Sequence, residues 1–339
     1  MAHESFAAQL SLFGAEQLRR IAMANPDAGI RRRELARIDA AQAVMGEMTE
    51  EDLAFSHSGL CQTCLPHARP CSDDLVWQRR SGRFHLVISP GVIINDEGRA
   101  VRVGVPYGTR ARLIMIFLQT EGVRSRVVRL GRSMSAWIRS LGLPVTGGPR
   151  GTIGAIREQS LRIARCEFTL QWSGAGARAA EGGRGTETII KDQRLVSGLS
   201  LWQAADEKGE GGWSATVELT REFHEHLKEH AVPLHREAIA YLKQNALGLD
   251  LYTLFAYRLQ RLREPVLLRW QALHGQLGSE TTPHKLAYKL RQVLPEVLSV
   301  YPDARVEVQR SGLRLLPSPP PIPRTAIGGF RLIASPARN

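Results

Sequence analysis

Cysteine, acidic charge and long apolar runs are all scarce in this sequence. Four cysteines among 339 residues are too few for the disulfide framework of a small secreted domain, so we expect free thiols in a reducing cytoplasm. The longest unbroken apolar run, Leu113 to Leu118, is far shorter than the roughly 20 residues that cross a bilayer. Because the N-terminus also lacks the layout of an export signal, we expect a cytoplasmic protein without a membrane segment.

Acidic residues are too few to balance the basic ones. Asp and Glu number 33 against 45 Lys and Arg, which leaves a formal net charge of +12 and indicates a polyanionic partner or an anionic surface. Between Arg102 and Trp172, twelve arginines stand against three acids. The sequence contains no Gly-x4-Gly-Lys-Ser/Thr loop, which P-loop nucleoside triphosphatases use to hold phosphates. We therefore expect no ATPase activity and no cofactor.

Hydrophobic periodicity predicts an α+β chain in which one order of elements occurs twice. The order is helix, strand, helix, turn, helix and hairpin, which is typical of a winged helix-turn-helix, although that fold also serves in protein interaction. In the first copy, the elements are expected at 108–120, 127–130, 133–141, 150–164 and 166–196. In the second copy, they are expected at 249–261, 266–268, 270–277, 282–299 and 305–315. We interpret the repetition as an internal duplication that yields tandem winged-helix domains.

The flanking composition predicts where these domains begin and end. The expected segments are a helical N-terminal arm at 1–55, a first domain at 56–202, a linker at 203–213, a second domain at 214–317 and a Pro-rich extended tail at 318–339. The polar, Gly-rich composition of 203–213 favours a linker. The arm either packs on the first domain or forms a flexible basic DNA-binding segment through Arg31, Arg32 and Arg33.

The last helix before the second hairpin is the predicted DNA-reading element, because in a winged helix this element usually enters the major groove. Leu286, Leu290 and Val297 cluster on one side together with Val293, which predicts a core face. The opposite face carries donors and acceptors that suit base edges. The candidate base contacts are Thr281, His284, Lys285, Tyr288, Arg291 and Gln292. The alternative is an ordinary solvated helix face.

The equivalent helix of the first domain predicts a different kind of surface. Its outward side carries Gly151, Gly154 and Ala155, which can approach a DNA backbone closely but cannot read bases. We therefore expect phosphate contacts or a protein interface there. Across both domains, the candidate phosphate contacts are Arg150, Arg162, Arg165, Arg305 and Arg310.

One short segment offers four potential zinc ligands, since zinc favours nitrogen and sulfur donors held tetrahedrally. However, its spacing differs from the common knuckle layout, and Pro66 and Pro70 can stiffen the loop without a metal. Zinc is therefore a weak candidate, and no metal is the main expectation. The residues concerned are Cys61, Cys64, His67 and Cys71.

Three histidines, His224, His226 and His230, lie on one predicted helix. Their pattern matches neither the His-Glu-x-x-His motif of metalloproteases nor the His-apolar-His motif of rolling-circle nicking enzymes, since Glu225 fills the apolar position. A solvated helix face is expected instead, and no catalytic residue is assigned. The sequence therefore argues against a nicking enzyme.

Several long stretches carry a family resemblance. They are HSGLCQTCLPHARP (57–70), GVPYGTRARLIMIFLQTEGVRSR (104–126), LGRSMSAWIRSLGLPVTGGPRGTI (130–153), REQSLRIARCEFTLQW (157–172), LGLDLYTLFAYRL (247–259) and RVEVQRSGLRLLPSPP (305–320). Over about residues 55–320, the chain resembles the plasmid-encoded replication initiators of the RepA type.

This resemblance implies a set of functional expectations. Such proteins bind direct repeats (iterons) in double-stranded DNA at a plasmid origin, promote opening of nearby A·T-rich DNA, and recruit the host initiator and the replicative helicase. Their monomers bind the repeats, whereas dimers often repress their own gene, so a homodimer and a part in plasmid copy control are also implied. The alternative is a winged-helix transcriptional regulator or autorepressor without a replication role.

Overall fold

The computed structural model describes residues 6–175, 186–200, 215–278 and 281–323. Helices and strands alternate irregularly within these residues, in agreement with the α+β prediction. The chain divides into a central unit, Phe55–Ala231, and a terminal unit that combines Met1–Ala54 with Val232–Arg331. Within the described residues, no helix is long and apolar enough to cross a lipid bilayer.

The terminal unit begins with two helices and ends with a helical bundle and a small sheet. Strands β1 and β11 are where the chain passes between the units. These two strands are β1 (Leu53–His57) and β11 (Ala231–His235). The elements of the terminal unit are α1 (Phe6–Met23), α2 (Ala28–Met45), a 3₁₀ turn (Glu50–Asp52), α8 (Arg236–Leu242), α9 (Ala246–Arg258), a 3₁₀ turn (Leu259–Arg261), β12 (Val266–Arg269), α10 (Trp270–Leu277), α11 (Pro283–Ser299), β13 (Val306–Val308) and β14 (Gly312–Leu315).

The central unit contains most of the strands. Its elements are α3 (Ser58–Gln62), β2 (Trp77–Ser81), β3 (Phe84–Ser89), β4 (Val92–Ile94), β5 (Ala100–Arg102), α4 (Gly108–Arg124), β6 (Val127–Arg129), α5 (Met134–Ser140), α6 (Thr152–Arg165), β7 (Glu167–Ala175), β8 (Thr186–Arg194), β9 (Val196–Ser200), β10 (Thr216–Leu219) and α7 (Arg221–His230).

Three antiparallel sheets lie in the central unit, with strand orders β2-β3-β7-β8, β6-β10-β9 and β4-β5. Strand β3 alternates buried and half-buried residues, as a strand with one face against the core does. Its buried Leu86 pairs with Leu170 of β7. Helix α4 is buried along most of its length and packs against α6 and α7, so it forms the centre of this unit.

Helix α9 has the same central role in the terminal unit. Leu251, Tyr252, Leu254 and Phe255 are fully buried, and α9 packs against α8, α10 and α11. The sheet has the order β12-β14-β13 and is antiparallel throughout. Helix α10, helix α11 and the hairpin β13–β14 follow β12 in the predicted order.

The N-terminal arm is helical as predicted, but it packs elsewhere than expected. Helices α1 and α2 pack on each other around Leu10, Ala22, Ile38 and Ala41, and α2 also contacts α8 and α11. The arm therefore belongs to the same unit as the second copy of the repeated order, not the first. Periodicity identifies the apolar side of a helix, but it does not identify the partner of that side.

The expected linker 203–213 lies outside the described residues. The strands on either side of it, β9 and β10, pair with each other and both belong to the central unit. This segment therefore connects two paired strands, and the chain passes between units at Ala231 instead. Helix α7, which was expected in the second domain, consequently lies in the central unit.

The two copies of the repeated order also differ in strand pairing. In the second copy, hairpin strand β14 pairs with β12. In the first copy, hairpin strand β7 pairs with β3, whereas β6 pairs with β10. Of the expected tail 318–339, residues 318–323 are described and packed, with Ser318 and Ile322 buried; residues 324–339 lie outside the described residues.

Candidate nucleic-acid interface

Helix α11 is built to bury one side and expose the other. Thr282 caps its N-terminus, since its hydroxyl accepts the Lys285 N–H at 3.4 Å, and Pro283 occupies the first helical turn, where its missing N–H costs nothing. The residues of the inner side are buried: Leu286, Ala287, Leu290, Leu294 and Val297. Val293, predicted as core, is only half-buried.

The outer side of α11 is polar and basic over its first three turns. Tyr288 has 61% of its surface exposed, and no Asp or Glu occurs between Thr281 and Pro295. Lys289 is also exposed here, but the sequence prediction did not include it. It follows Lys285 by four positions, and residues with this spacing are neighbours on a helix surface. The polar face of α11 consists of the exposed residues His284, Lys285, Tyr288, Lys289, Arg291 and Gln292.

Thr281 does not join this face. Its hydroxyl oxygen is buried and has no hydrogen-bond partner among the described residues, while its carbonyl oxygen lies 2.5 Å from Nε2 of His274 in α10. Thr281 precedes the helix and its hydroxyl is turned inward, so its role as a base contact stays a prediction.

The hairpin β13–β14 adds exposed basic residues to the same unit. Arg305 and Arg310, the predicted phosphate contacts of this unit, are exposed. Arg314 pairs with Glu307 across the hairpin, with Nη1 and Oε2 3.0 Å apart. Arg310 lies in the turn between the two strands and is exposed. Among the described residues, no carboxylate lies within salt-bridge distance of its guanidinium.

Arg162 of α6 is not a surface residue, which corrects its prediction as a phosphate contact. Its side chain is only 3% exposed. The guanidinium lies 3.0 Å from Asp73 and 3.0 Å from Glu158, and it donates to the Val105 carbonyl at 3.1 Å. The Arg162 guanidinium therefore binds partners inside the central unit.

The cluster around Arg162 joins three parts of the central unit. Arg69 also binds Asp73, with Nη2 and Oδ2 3.1 Å apart. Burial alone would raise the pKa of Asp73, but the hydrogen bonds and charges of Arg162 and Arg69 outweigh it and hold that pKa below its usual value. Gly104, at φ +69°, lies so close that an added Cβ would collide with Arg162 and Asp73. We call Arg69, Asp73, Glu158 and Arg162 the ionic cluster.

The remaining arginines predicted for the first copy are accessible. Arg150 precedes α6 and is exposed, and Arg165 is exposed in the last turn of that helix. The turn before α6 is held by Thr146, whose hydroxyl accepts the Thr152 N–H at 2.9 Å. Arg150 and Arg165 thus lie at opposite ends of α6.

Two of the three α7 histidines are not on a solvated face. His226 is buried and His224 is half-buried, whereas His230 is exposed. His226 Nδ1 lies 2.8 Å from Nε2 of His57, a buried residue that sequence reasoning missed. Because His57 Nδ1 accepts the Gly59 N–H, its Nε2 must carry the proton that it donates to His226. This contact joins α7 to the residue that precedes α3.

Of the four predicted zinc ligands, Cys64 and His67 have donor atoms within 4.8 Å of each other. Cys61 and Cys64 are buried, whereas Cys71 is exposed, and the four cysteines of the chain are free thiols. In the part of the chain that the structure describes, no three of Cys61, Cys64, His67 and Cys71 form a group that could hold a metal ion. Trp77 stabilises the loop instead, since its indole N–H donates to the Cys64 carbonyl at 2.7 Å.

Comparisons with known proteins give one family and a few solved structures. Residues 105–271 match the sequence profile described as "Plasmid encoded RepA protein", and no curated protein matches the chain. A crystal structure of selenomethionine derivatives of domains 2 and 3 of RctB is 13% identical, with a TM-score of 0.46, over 78% of this chain and 99% of that chain. A crystal structure of RctB domains 2-3 is 15% identical, with a TM-score of 0.44, over 76% and 94%. Both scores are too low for a conclusion about this chain.

Proposed function

We propose that the chain is a plasmid replication initiator that binds specific sites in double-stranded DNA, since its residues 105–271 match the profile of plasmid-encoded RepA proteins. Its net charge of +12 supports a polyanionic partner. The proposal includes binding to direct repeats at an origin, opening of nearby A·T-rich DNA, and recruitment of a host initiator and replicative helicase. It also includes a homodimer and no enzymatic step.

The observation that carries the proposal is the polar face of α11. Six exposed side chains, three of them Lys or Arg, lie opposite a buried apolar stripe with no acid between Thr281 and Pro295. Arg donates two parallel hydrogen bonds to guanine, and Gln pairs in the same way with adenine. Arg291 and Gln292 are therefore the residues best suited to read base edges, while Lys285 and Lys289 suit phosphates.

We propose that the second copy is a winged helix. Helix α9, strand β12, helices α10 and α11 and the hairpin β13–β14 supply its elements, and β14 lies between β12 and β13 in the sheet. In that fold, α11 would enter the major groove and the hairpin would lie beside it. Arg305 and Arg310, which are exposed on or next to the hairpin, would then bind phosphates.

The first copy contributes phosphate contacts in this proposal. Arg150 and Arg165 are exposed at the two ends of α6, and Gly154 between them has open space at its Cβ position, so a DNA backbone could approach closely. In this proposal Arg150 and Arg165 contact phosphates, so the contribution of this surface to affinity should not depend on sequence.

The test uses duplexes that the protein itself selects, since the natural repeats are not needed. Purified protein is used to enrich a random-sequence pool, and fluorescence anisotropy then gives the Kd for an enriched duplex and for a shuffled duplex of the same composition. Arg291→Ala should lower the ratio of the two affinities by about fivefold or more, the lower limit for a bidentate base contact of roughly 1–3 kcal/mol.

Arg165→Ala should instead weaken both affinities together and make the slope of log affinity against log salt shallower by about 0.9. Lys228→Ala, which removes the same charge from the exposed side of α7, is the matched control and should change neither value. No enrichment from the pool, or binding that does not respond to salt, would reject the proposal.

A further inference from the structure

Trp270, the first residue of α10, touches both parts of the proposed DNA-binding surface. Its backbone N–H donates to the Ser311 carbonyl at 3.0 Å. Its indole Nε1–H donates to the Arg310 carbonyl at 2.9 Å. Two hydrogen bonds from one residue thus hold the hairpin turn that presents Arg310.

The ring of Trp270 also lies under Arg291. The guanidinium carbon of Arg291 is 5.0 Å from the centre of a Trp270 ring, within the roughly 6 Å range of a cation–π contact. The stacked guanidinium has no carboxylate partner in the described residues. Its NH groups therefore remain available while its position is set by the ring.

A flexible arginine loses rotamer freedom when it binds a base, and this ordering of the side chain lowers the net affinity of the contact. A side chain that is already stacked loses less. Arg in particular stacks its planar guanidinium on aromatic faces while keeping its donors in a fixed fork. The Trp270 ring is therefore placed to lower the cost of a specific Arg291 contact.

We propose that Trp270 is a positioning residue for DNA specificity: it orients Arg291 by stacking and ties the hairpin turn to the start of α10 by its indole hydrogen bond. This inference rests on the proposed function, since it assigns Trp270 a role in the same surface. Trp270 itself is half-buried and supplies no base contact. It acts on DNA through Arg291 and through the turn at Arg310.

The two roles can be separated with a matched pair of substitutions. Trp270→Phe keeps an aromatic face under Arg291, whereas Trp270→Leu keeps apolar bulk without that face. Both lose the indole N–H, so both should loosen the hairpin turn and weaken binding to the enriched and the shuffled duplex by a similar factor. The two variants thus differ in whether an aromatic face lies under Arg291.

Trp270→Leu should therefore have a ratio of enriched to shuffled affinity about two- to fivefold lower than that of Trp270→Phe, the range of a cation–π contact of about 0.5–1 kcal/mol at an exposed site. In an Arg291→Ala background, the Phe and Leu variants should have equal ratios, because the residue on which the ring acts is gone. Urea unfolding of all variants checks that the compared chains are folded.

Equal ratios for Phe and Leu in the otherwise unchanged chain would overturn the inference. The same is true of a difference that persists in the Arg291→Ala background, since Trp270 would then act independently of Arg291. Failure of the proposed function is a separate result: the unsubstituted protein would enrich no sequence from the pool, and the inference would fall with it.

Discussion

Replacing Arg162 by Ala should destabilise the central unit, and this consequence follows from the ionic cluster. The guanidinium is almost completely buried between Asp73 and Glu158 and also satisfies the Val105 carbonyl. Removing one partner of a buried ion pair costs about 3–5 kcal/mol, because the remaining charge stays buried without compensation. Here the two carboxylates are 35% and 37% exposed, so water can replace part of the lost interaction.

We therefore expect a loss of about 2–3 kcal/mol in the free energy of unfolding for Arg162→Ala. For a unit of this size, each 1 kcal/mol corresponds to roughly 2–4 °C in the midpoint of thermal unfolding, which predicts a decrease of about 4–12 °C. Urea unfolding followed by circular dichroism measures the first value, and a thermal scan measures the second.

Arg165→Ala is the matched control, because it removes the same side chain three residues further along α6. Arg165 is exposed, and surface substitutions of this kind usually change stability by less than about 0.5 kcal/mol. The two variants should thus separate: Arg162→Ala loses stability, and Arg165→Ala loses DNA affinity. If Arg162→Ala were as stable as the unsubstituted protein and bound DNA less tightly, the buried position of Arg162 would be refuted.

Two further predictions concern thiols and pH. In the folded protein, one thiol should react rapidly with a disulfide reagent and Cys71→Ser should abolish that reaction, because Cys71 alone of the four cysteines is exposed and burial raises the pKa of the Cys166 thiol to about 11; two or more fast thiols would contradict this. Burial lowers the pKa of His235 below 6.5, so the unfolded chain takes up this proton first and stability should decrease as the pH falls below about 6.5. His235→Asn, which can still accept the Glu237 N–H as a helix cap, should reduce that decrease in urea titrations at pH 7 and pH 5; an unchanged difference between the two pH values would argue against it.

Local patterns predicted the helices of the repeated order well. The expected helix at 282–299 is observed at Pro283–Ser299, and the expected helix at 270–277 at Trp270–Leu277. Both are amphipathic, and both have capping signals next to them in the sequence. The exposed side of α11 followed from the same periodicity, because a buried leucine stripe determines which residues lie opposite it.

Contacts between distant residues could not be predicted from these patterns. Arg162 binds Asp73, 89 positions away, and a helical projection of α6 placed Arg162 outward because it contains no information about the segment that covers it. His57 and His226, separated by 169 positions, pair for the same reason. Each contact depends on how elements pack, which the spacing within one element does not encode.

Strand pairing differs between the two copies of the repeated order, and this difference bears on which copy reads the DNA sequence. In the second copy, β14 pairs with β12, and Trp270, which directly follows β12, contacts both the hairpin turn and Arg291. Strand, hairpin and α11 are therefore connected. In the first copy, β6 pairs with β10 while the hairpin strand β7 pairs with β3, so strand and hairpin lie in different sheets. Arg162 of α6 is also bound to Asp73 and Glu158 of its own unit. This difference between the copies supports the proposal that sequence recognition lies in the second copy.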